Sequence, residues 1–205
     1  MSAKLDCVVT FCSHDYVDMT LAWEKYVRKV NPTIPILIFA LDKDVVFFPE
    51  EMSANTRVEA YHLDQSLPDF RKRLWNHRLK KIVELCDTYK SFLHCDVDAF
   101  WLRDIVPVLE RLHGDIIIQT SEIDQPLNML KKQGYSMCCG FFSVNVNERS
   151  RAFLKYWLEC TPPGSDDQHN FNRIMCLQTR HKVYPRDCDC VHRVLQNGLK
   201  IVGLP

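Results

Sequence analysis

Two acids raise the first question. Asp96 and Asp98 stand one residue apart in "FLHCDVDAFWL" (residues 92–102), surrounded by Phe92, Leu93, Phe100 and Trp101. A carboxylate inside an apolar run is costly unless it is paired or bound to a metal. In extended chain, residues two apart point the same way, so both acids are expected to converge on one hard cation. Two carboxylates, completed by phosphate oxygens and water, are the usual protein share of a Mg²⁺ or Mn²⁺ site. Such a cation neutralises a diphosphate as it leaves. The bland alternatives are a solvated strand end or an acid capping the next helix.

A further acid, Asp42, ends "ILIFALD" (36–42). "FRKRLWNHRLKKIVELCDTY" (70–89) carries Arg71, Arg78 and Lys81 at spacings that share a helix face. "SDDQHNFNRI" follows a Pro- and Gly-containing loop. There Asp166 reads as the helix cap and Asp167 and Gln168 as its presented first turn. "CDCVH" sets Cys188, Cys190 and His192 on one side of a strand, but this spacing is too tight for a usual zinc site.

These residues need elements to position them. "LDCVVTFCS" (5–13), "ILIFALD", "RVEAYHL" (57–63), "SFLHCDVDAFWL" (91–102), "GDIIIQTSE" (114–122) and "SMCCGFFSVNVN" (136–147) read as strands. "KVYPRD" and "LKIVGL" read as late extended segments. Helices are expected over 16–30, 70–89, 104–112, 148–160 and 166–177. The first should bury Met19, Leu21, Ala22, Tyr26, Val27 and Val30. Asp104 is the expected cap of the third, and Pro107 is tolerated in its first turn. Strands alternating with helices imply an α/β fold, a mostly parallel sheet flanked by helices. Ligands then bind beyond the carboxyl ends of the strands, where Asp42, Asp96 and Asp98 fall.

Composition sets limits on this reading. A chain of 205 residues with 46% apolar content fits one globular domain, 1–205, its nucleotide-binding half about 1–102 and its acceptor half about 103–205. A formal net charge of zero argues against a nucleic-acid partner. There is no apolar run long enough to span a membrane, no signal-peptide pattern at the start and no Asn-x-Ser/Thr sequon, so the expectation is a cytoplasmic protein or a soluble catalytic domain cut from a longer one. Ten cysteines without a regular framework read as reduced thiols.

The Asp-x-Asp strand also ends the phosphatase and dehalogenase nucleophile motif. That motif has Thr or Val two residues after the second acid and opens the fold. Here that position is Phe100, in mid-chain. "FLHCDVDAFWLRDIVPVL" instead resembles the metal-binding segment of nucleotide-diphosphosugar glycosyltransferases of the GT-A fold. "MCCGFFSVNVNERSRAFLKYWLE" is similar to the family's Cys-Ser-Gly-Phe strand and following helix, with Cys139 where Ser is common. "DDQHNFNRI" is similar to its Asp-Gln-x-x-Phe-Asn segment. Order and spacing resemble plant cell-wall xylosyl- and arabinosyltransferase-like members and short algal-virus glycosyltransferases, over about residues 5–175.

The resemblance implies a nucleotide-sugar donor, UDP-linked, a glycan or glycoprotein acceptor, and Mn²⁺ or Mg²⁺ as cofactor. Asp98 is the implied direct metal ligand, with Asp96 bound through water or to the ribose. Thr10, Phe11 and Asp42 would lie by the base or ribose, and Arg71, Arg78 and Lys81 by the nucleotide or diphosphate. Gly140 would admit the sugar or acceptor. Asp167 and Gln168 would sit by the transferred sugar, and His192, with His181 in reserve, would complete the metal shell. Inversion would ask Asp167 to act as general base; retention requires none, and it is the outcome towards which the resemblance leans. Two other activities fit the same sheet: a metal-dependent nucleotidyltransferase, which the glycine-free "VTFCSHDYVD" disfavours, and a non-catalytic sugar-nucleotide-binding module.

Overall fold

Short apolar runs that are buried on both faces form the inner strands, and helices cover both sides. The computed structural model describes residues 4–63, 70–121, 135–183 and 191–204, with the backbone alone for 49, 70–72, 179–183 and 191–192. In chain order the elements are β1 (Cys7–Cys12), α1 (Val17–Val30), β2 (Ile36–Ala40), β3 (Thr56–Ala60), α2 (Phe70–Leu85), β4 (Ser91–Cys95) and α3 (Val106–Arg111). There follow β5 (Ile116–Ser121), β6 (Ser136–Asn145), α4 (Glu148–Glu159), α5 (Asp167–Gln178), β7 (Thr179–Val183), β8 (Val191–Leu195) and β9 (Lys200–Leu204).

The strands form one sheet in the order β3-β2-β1-β4-β6-β5-β9-β8-β7. β6 and β8 pair antiparallel with both neighbours, and every other pairing is parallel, so the sheet is mixed and mostly parallel. The chain moves outward from β1 to β2 and β3, then returns through α2 to β4 on the other side of β1. The strand order therefore reverses between β1 and β4, which is where such sheets open a ligand crevice.

Two cores lie on the two faces. Leu79 and Ile82 of α2, Phe153 and Trp157 of α4, and Phe171 and Ile174 of α5 cover one face. Trp23 and Val27 of α1 and Val106 and Leu109 of α3 cover the other.

Two expectations need correcting. α1 buries Thr20, Trp23, Glu24 and Val27, whereas Met19 and Tyr26 are exposed. Polar residues reach this interior because each is satisfied there. The Thr20 hydroxyl donates to Tyr16 O at 2.8 Å, and Glu24 accepts from Arg28 Nε at 3.0 Å and Thr56 Oγ1 at 2.8 Å. β4 also stops at Cys95. The Ala99 N–H donates to Asp96 O at 3.0 Å, so Asp96–Ala99 is a turn and strand alternation does not set how its acids point.

Candidate active site

β4 delivers Asp96 to the crevice, where its N–H donates to Gly140 O of β6 at 2.7 Å. Asp98, two residues on, is exposed and has no hydrogen bond or ion pair among the described residues. Both acids line one cleft of about 250 Å³, beside Phe11, Ser13 and Tyr16 at the end of β1 and Leu74, Trp75 and Arg78 of α2. A larger cavity, about 580 Å³, lies beyond the turn on the face covered by α1 and α3, walled by Phe100, Trp101, Leu102 and Phe141. Among the described residues its wall has no carboxylate, whereas the smaller cleft has two.

Arg78 joins the acids. Nη1 donates to Asp96 Oδ1 at 3.1 Å and Nη2 to Asp167 Oδ2 at 2.6 Å. Burial alone would weaken the guanidinium's hold on its proton, but the carboxylates of Asp167 and Asp96 outweigh it and fix Arg78 as a cation. Burial would likewise raise the Asp96 carboxyl. Arg78 and then His94, whose Nε2 stands 3.2 Å from Oδ1, hold it below the usual carboxylate range.

α5 brings Asp167 to this network. Asp166 caps the helix, accepting from His169 N at 2.8 Å, and Trp157 Nε1 donates to Asp167 O at 2.9 Å. β6 runs past the end of β4, which leaves its backbone without a strand partner on that side at Met137 and Cys139. Side chains of α5 take the place of the missing strand. Gln168 Oε1 accepts from Cys139 N at 3.0 Å. Asn172 accepts from Met137 N at 2.8 Å and donates to Met137 O at 2.9 Å. Gln168 and Asn172 are four apart and share the helix face that meets β6.

The remaining residues singled out in the sequence fall as follows. Phe11 lines the cleft, but Thr10 is fully buried and shares the alternate set of β1 with Val8 and Cys12, which face α1. Asp42 is buried, and its two oxygens accept from the backbone of His14 at 2.8 Å and Asp44 at 3.1 Å, so it shapes the loops beside β1 and β2. Lys81 lies away from the acids, its Nζ 5.0 Å from the Phe39 ring and 3.1 Å from Glu84 Oε2. Arg71 is in α2, its side chain outside the described residues. A Cβ at Gly140 would stand 2.6 Å from Asp96 Oδ2, so the group that the glycine admits in this structure is the Asp96 carboxylate.

His192 pairs with Val202 in β8, four strand positions from β4 and about 19 Å away at the usual spacing. His181 is in β7, one strand further. Both side chains, with Cys188 and Cys190, lie outside the described residues. The sequence alone assigned no role to His94, Tyr16 and Trp75, and none to Asn172 beyond its place in the Asp-Gln-x-x-Phe-Asn segment. An imidazole two residues before Asp96 in a buried strand was the available clue to the first.

Among the described residues no cluster of three or more His, Cys, Asp or Glu could hold a metal ion. The donors present still fit a hard divalent cation of the Mg²⁺ or Mn²⁺ type, which binds through one or two carboxylates and keeps the rest of its shell for phosphate and water. Among the described residues, one guanidinium stands against the carboxylates of Asp96, Asp98 and Asp167, which leaves two negative charges uncompensated there.

Residues 35–205 match the family of nucleotide-diphospho-sugar transferases. The chain belongs to that family. Arabinosyltransferase XEG113 of Arabidopsis thaliana is 23% identical to this transferase-family chain over 188 residues, which is 83% of the chain but 28% of that protein. Galactosyltransferase LgtC, solved with donor and acceptor sugar analogues, superposes with a TM-score of 0.54 at 15% identity, over 80% of this chain and 69% of its own. Bifunctional glycosyltransferase WbbM gives 0.57 at 13% identity, over 83% and 37%. GlyE of Streptococcus pneumoniae gives 0.54 at 15%, over 83% and 43%. These likenesses show the fold, that of the GT-A glycosyltransferases. No helix among the described residues is long and apolar enough to cross a membrane.

Proposed function

We propose that this chain moves a sugar from a nucleoside-diphosphate donor, UDP-linked, to a hydroxyl of a glycan or glycoprotein acceptor. The observation that carries the reading is the acidic cleft at the β1/β4 crevice, where Asp96 and Asp98 stand beside an Arg78 already committed to Asp96 and Asp167. A diphosphate cannot approach such a cleft unless a cation comes with it. Mn²⁺ or Mg²⁺ held by Asp96 and Asp98 would supply charge neutralisation for the departing diphosphate. The preference for UDP rests on the likeness of the motifs.

In the reaction the acceptor oxygen bonds to the anomeric carbon, the bond from that carbon to the diphosphate breaks, the nucleotide leaves with the electron pair, and the acceptor proton passes to an oxygen of the departing diphosphate. Arg78 is held rigidly by its two acids and presents a fixed positive charge beside the reacting centre. Asp167 is buried, with Arg78 on one oxygen and Gln168 N at 2.8 Å on the other, so Asp167 is assigned to holding Arg78 and not to taking the acceptor proton. That supports retention of configuration, which needs no protein base. Gln168 is anchored through its oxygen, and its NH₂ is the end left to meet the sugar. Cys7, Cys12, Cys86, Cys95, Cys138, Cys139 and Cys160 are free thiols, which supports a reducing, cytoplasmic setting.

The test is release of nucleoside diphosphate from a donor panel covering UDP-arabinose, UDP-xylose, UDP-galactose and UDP-glucose, with Mn²⁺ or with EDTA. Turnover of at least one donor, abolished by EDTA, is expected. UDP binding without turnover of any donor would mark a non-catalytic module.

A further inference from the structure

His94 is a polar side chain that the proposed chemistry leaves unused. It lies in β4, two residues before Asp96, with no exposed surface. Its ring packs between Phe11, at 5.6 Å between centroids, and Phe142, at 5.1 Å. Neither ring nitrogen has a hydrogen-bond partner among the described residues. A phenyl ring would fill this slot without desolvating two nitrogens, so the imidazole calls for an explanation.

One nitrogen has a neighbour. Nε2 stands 3.2 Å from Asp96 Oδ1, a hydrogen-bond distance with the ring turned outside hydrogen-bond geometry. The same oxygen receives Arg78 Nη1 at 3.1 Å, and the other oxygen occupies the space that a Cβ on residue 140 would take. The carboxylate is thus enclosed on three sides, by Arg78, by His94 and by a glycine with nothing to push back. His94 itself is shut off from water, so a small turn of the ring that brings its N–H onto the carboxylate gives a contact stronger than one made in solvent.

We propose that His94 is a positioning residue for Asp96. With its proton on Nε2, it holds Oδ1 against Arg78 and keeps the carboxylate in one orientation for the cation and diphosphate of the donor. The role rests on the reading of this cleft as the donor site. It matches the way groups behind a metal ligand fix that ligand's orientation, where their loss costs about 10–100-fold in metal affinity.

Three variants separate positioning from packing. His94→Phe keeps a ring between Phe11 and Phe142 but removes both nitrogens. His94→Gln returns an amide N–H near the place of Nε2. His94→Asn carries the same amide on a shorter stem that does not reach Asp96, and it stands in for His94→Phe should that variant not fold. Crystal structures of the free variants report the Asp96 orientation. Electron paramagnetic resonance of Mn²⁺ and calorimetry of UDP report binding.

His94→Phe and His94→Asn should let the Asp96 side chain leave its place over Gly140 and weaken Mn²⁺-dependent UDP binding at least about tenfold. His94→Gln should restore both. Asp96 unmoved in His94→Phe and His94→Asn, binding unchanged in them, or no recovery in His94→Gln would each overturn the proposal. Should the unaltered protein not bind UDP with Mn²⁺, the donor-site reading fails, and the crystal structures alone decide whether His94 orients Asp96.

Discussion

Arg78 carries the cleft at the scale of single residues. Arg78→Met leaves Asp167, which is buried, and Asp96 facing each other without a cation. Breaking a buried pair from one side costs about 3–5 kcal/mol, and a loss of that order is expected in urea unfolding at pH 7. The pH dependence has a definite sign. Asp96 is held below its ordinary range, so its pairing stabilises the native state at every pH above that range and is lost as pH falls through the folded value. The gap between wild type and Arg78→Met should therefore narrow as pH falls and be smallest below about pH 4. A gap that widened in acid would contradict the pairing. Gly140→Ala makes a second test. Its Cβ would meet Asp96 Oδ2 at 2.6 Å, and the carboxylate is pinned on its other side. The protein should lose about 1–3 kcal/mol, as overpacked sites do, and bind Mn²⁺ more weakly; unchanged metal affinity would show that Asp96 has room to move. Asp96 and Asp98 were legible in the sequence because charge in an apolar run demands a reason. Arg78 was legible only as one of several cations on a basic helix. Periodicity gives a face, and only the fold shows that Arg78 points at acids while Lys81 lies against Phe39.

The element that sets Asp167 in place is α5, held to β6 by amide side chains as well as by Phe171 and Ile174. Asn172 is the stronger of the two clamps, since it satisfies both the N–H and the C=O of Met137. Asn172→Ala leaves two buried backbone groups unpaired at about 1–3 kcal/mol each. Asp166→Ala removes only a helix cap, worth about 1 kcal/mol. Asn172→Ala is therefore expected to lower the melting temperature clearly more than Asp166→Ala, and also to depress turnover, because Asp167 moves with the helix. Equal shifts would mean that β6 does not depend on the clamp. The motif around Gln168 was readable from its resemblance to the family's Asp-Gln-x-x-Phe-Asn segment, but its physical purpose was not: the demand arises from β6 outrunning β4, a feature of strand lengths that a single sequence does not display. The buried face of α1 was misread because Thr20 and Glu24 are polar, and their partners, Tyr16, Arg28 and Thr56, become neighbours only in the fold. The turn between β8 and β9 carried a clear sign in Asn197-Gly198, where Gly198 has a φ of 82°, and the sequence reading passed over it.

For the whole molecule, the order of strands decides where a ligand goes. Reversal between β1 and β4 opens the crevice, and the helices that return the chain line it with Arg78 and Asp167. The α/β class and its ligand edge followed from strand and helix alternation; the switch point did not, since alternation gives sequence order but not neighbours in the sheet. This arrangement separates folding from binding at one residue. Asp98 is exposed and unpaired among the described residues, so Asp98→Asn should change the stability of the free protein by no more than about 0.5 kcal/mol. Its expected loss lies elsewhere. A ligand at 100 times its Kd adds about 2.7 kcal/mol of stability, seen as a rise in melting temperature with a UDP-sugar and Mn²⁺ together. That rise should be present in the wild type, absent with EDTA and largely absent in Asp98→Asn. Because the free variant melts like the wild type, a missing rise cannot be blamed on a damaged fold. A full rise in Asp98→Asn would mean that the cation is held without Asp98, and would leave the acid as a solvated turn residue.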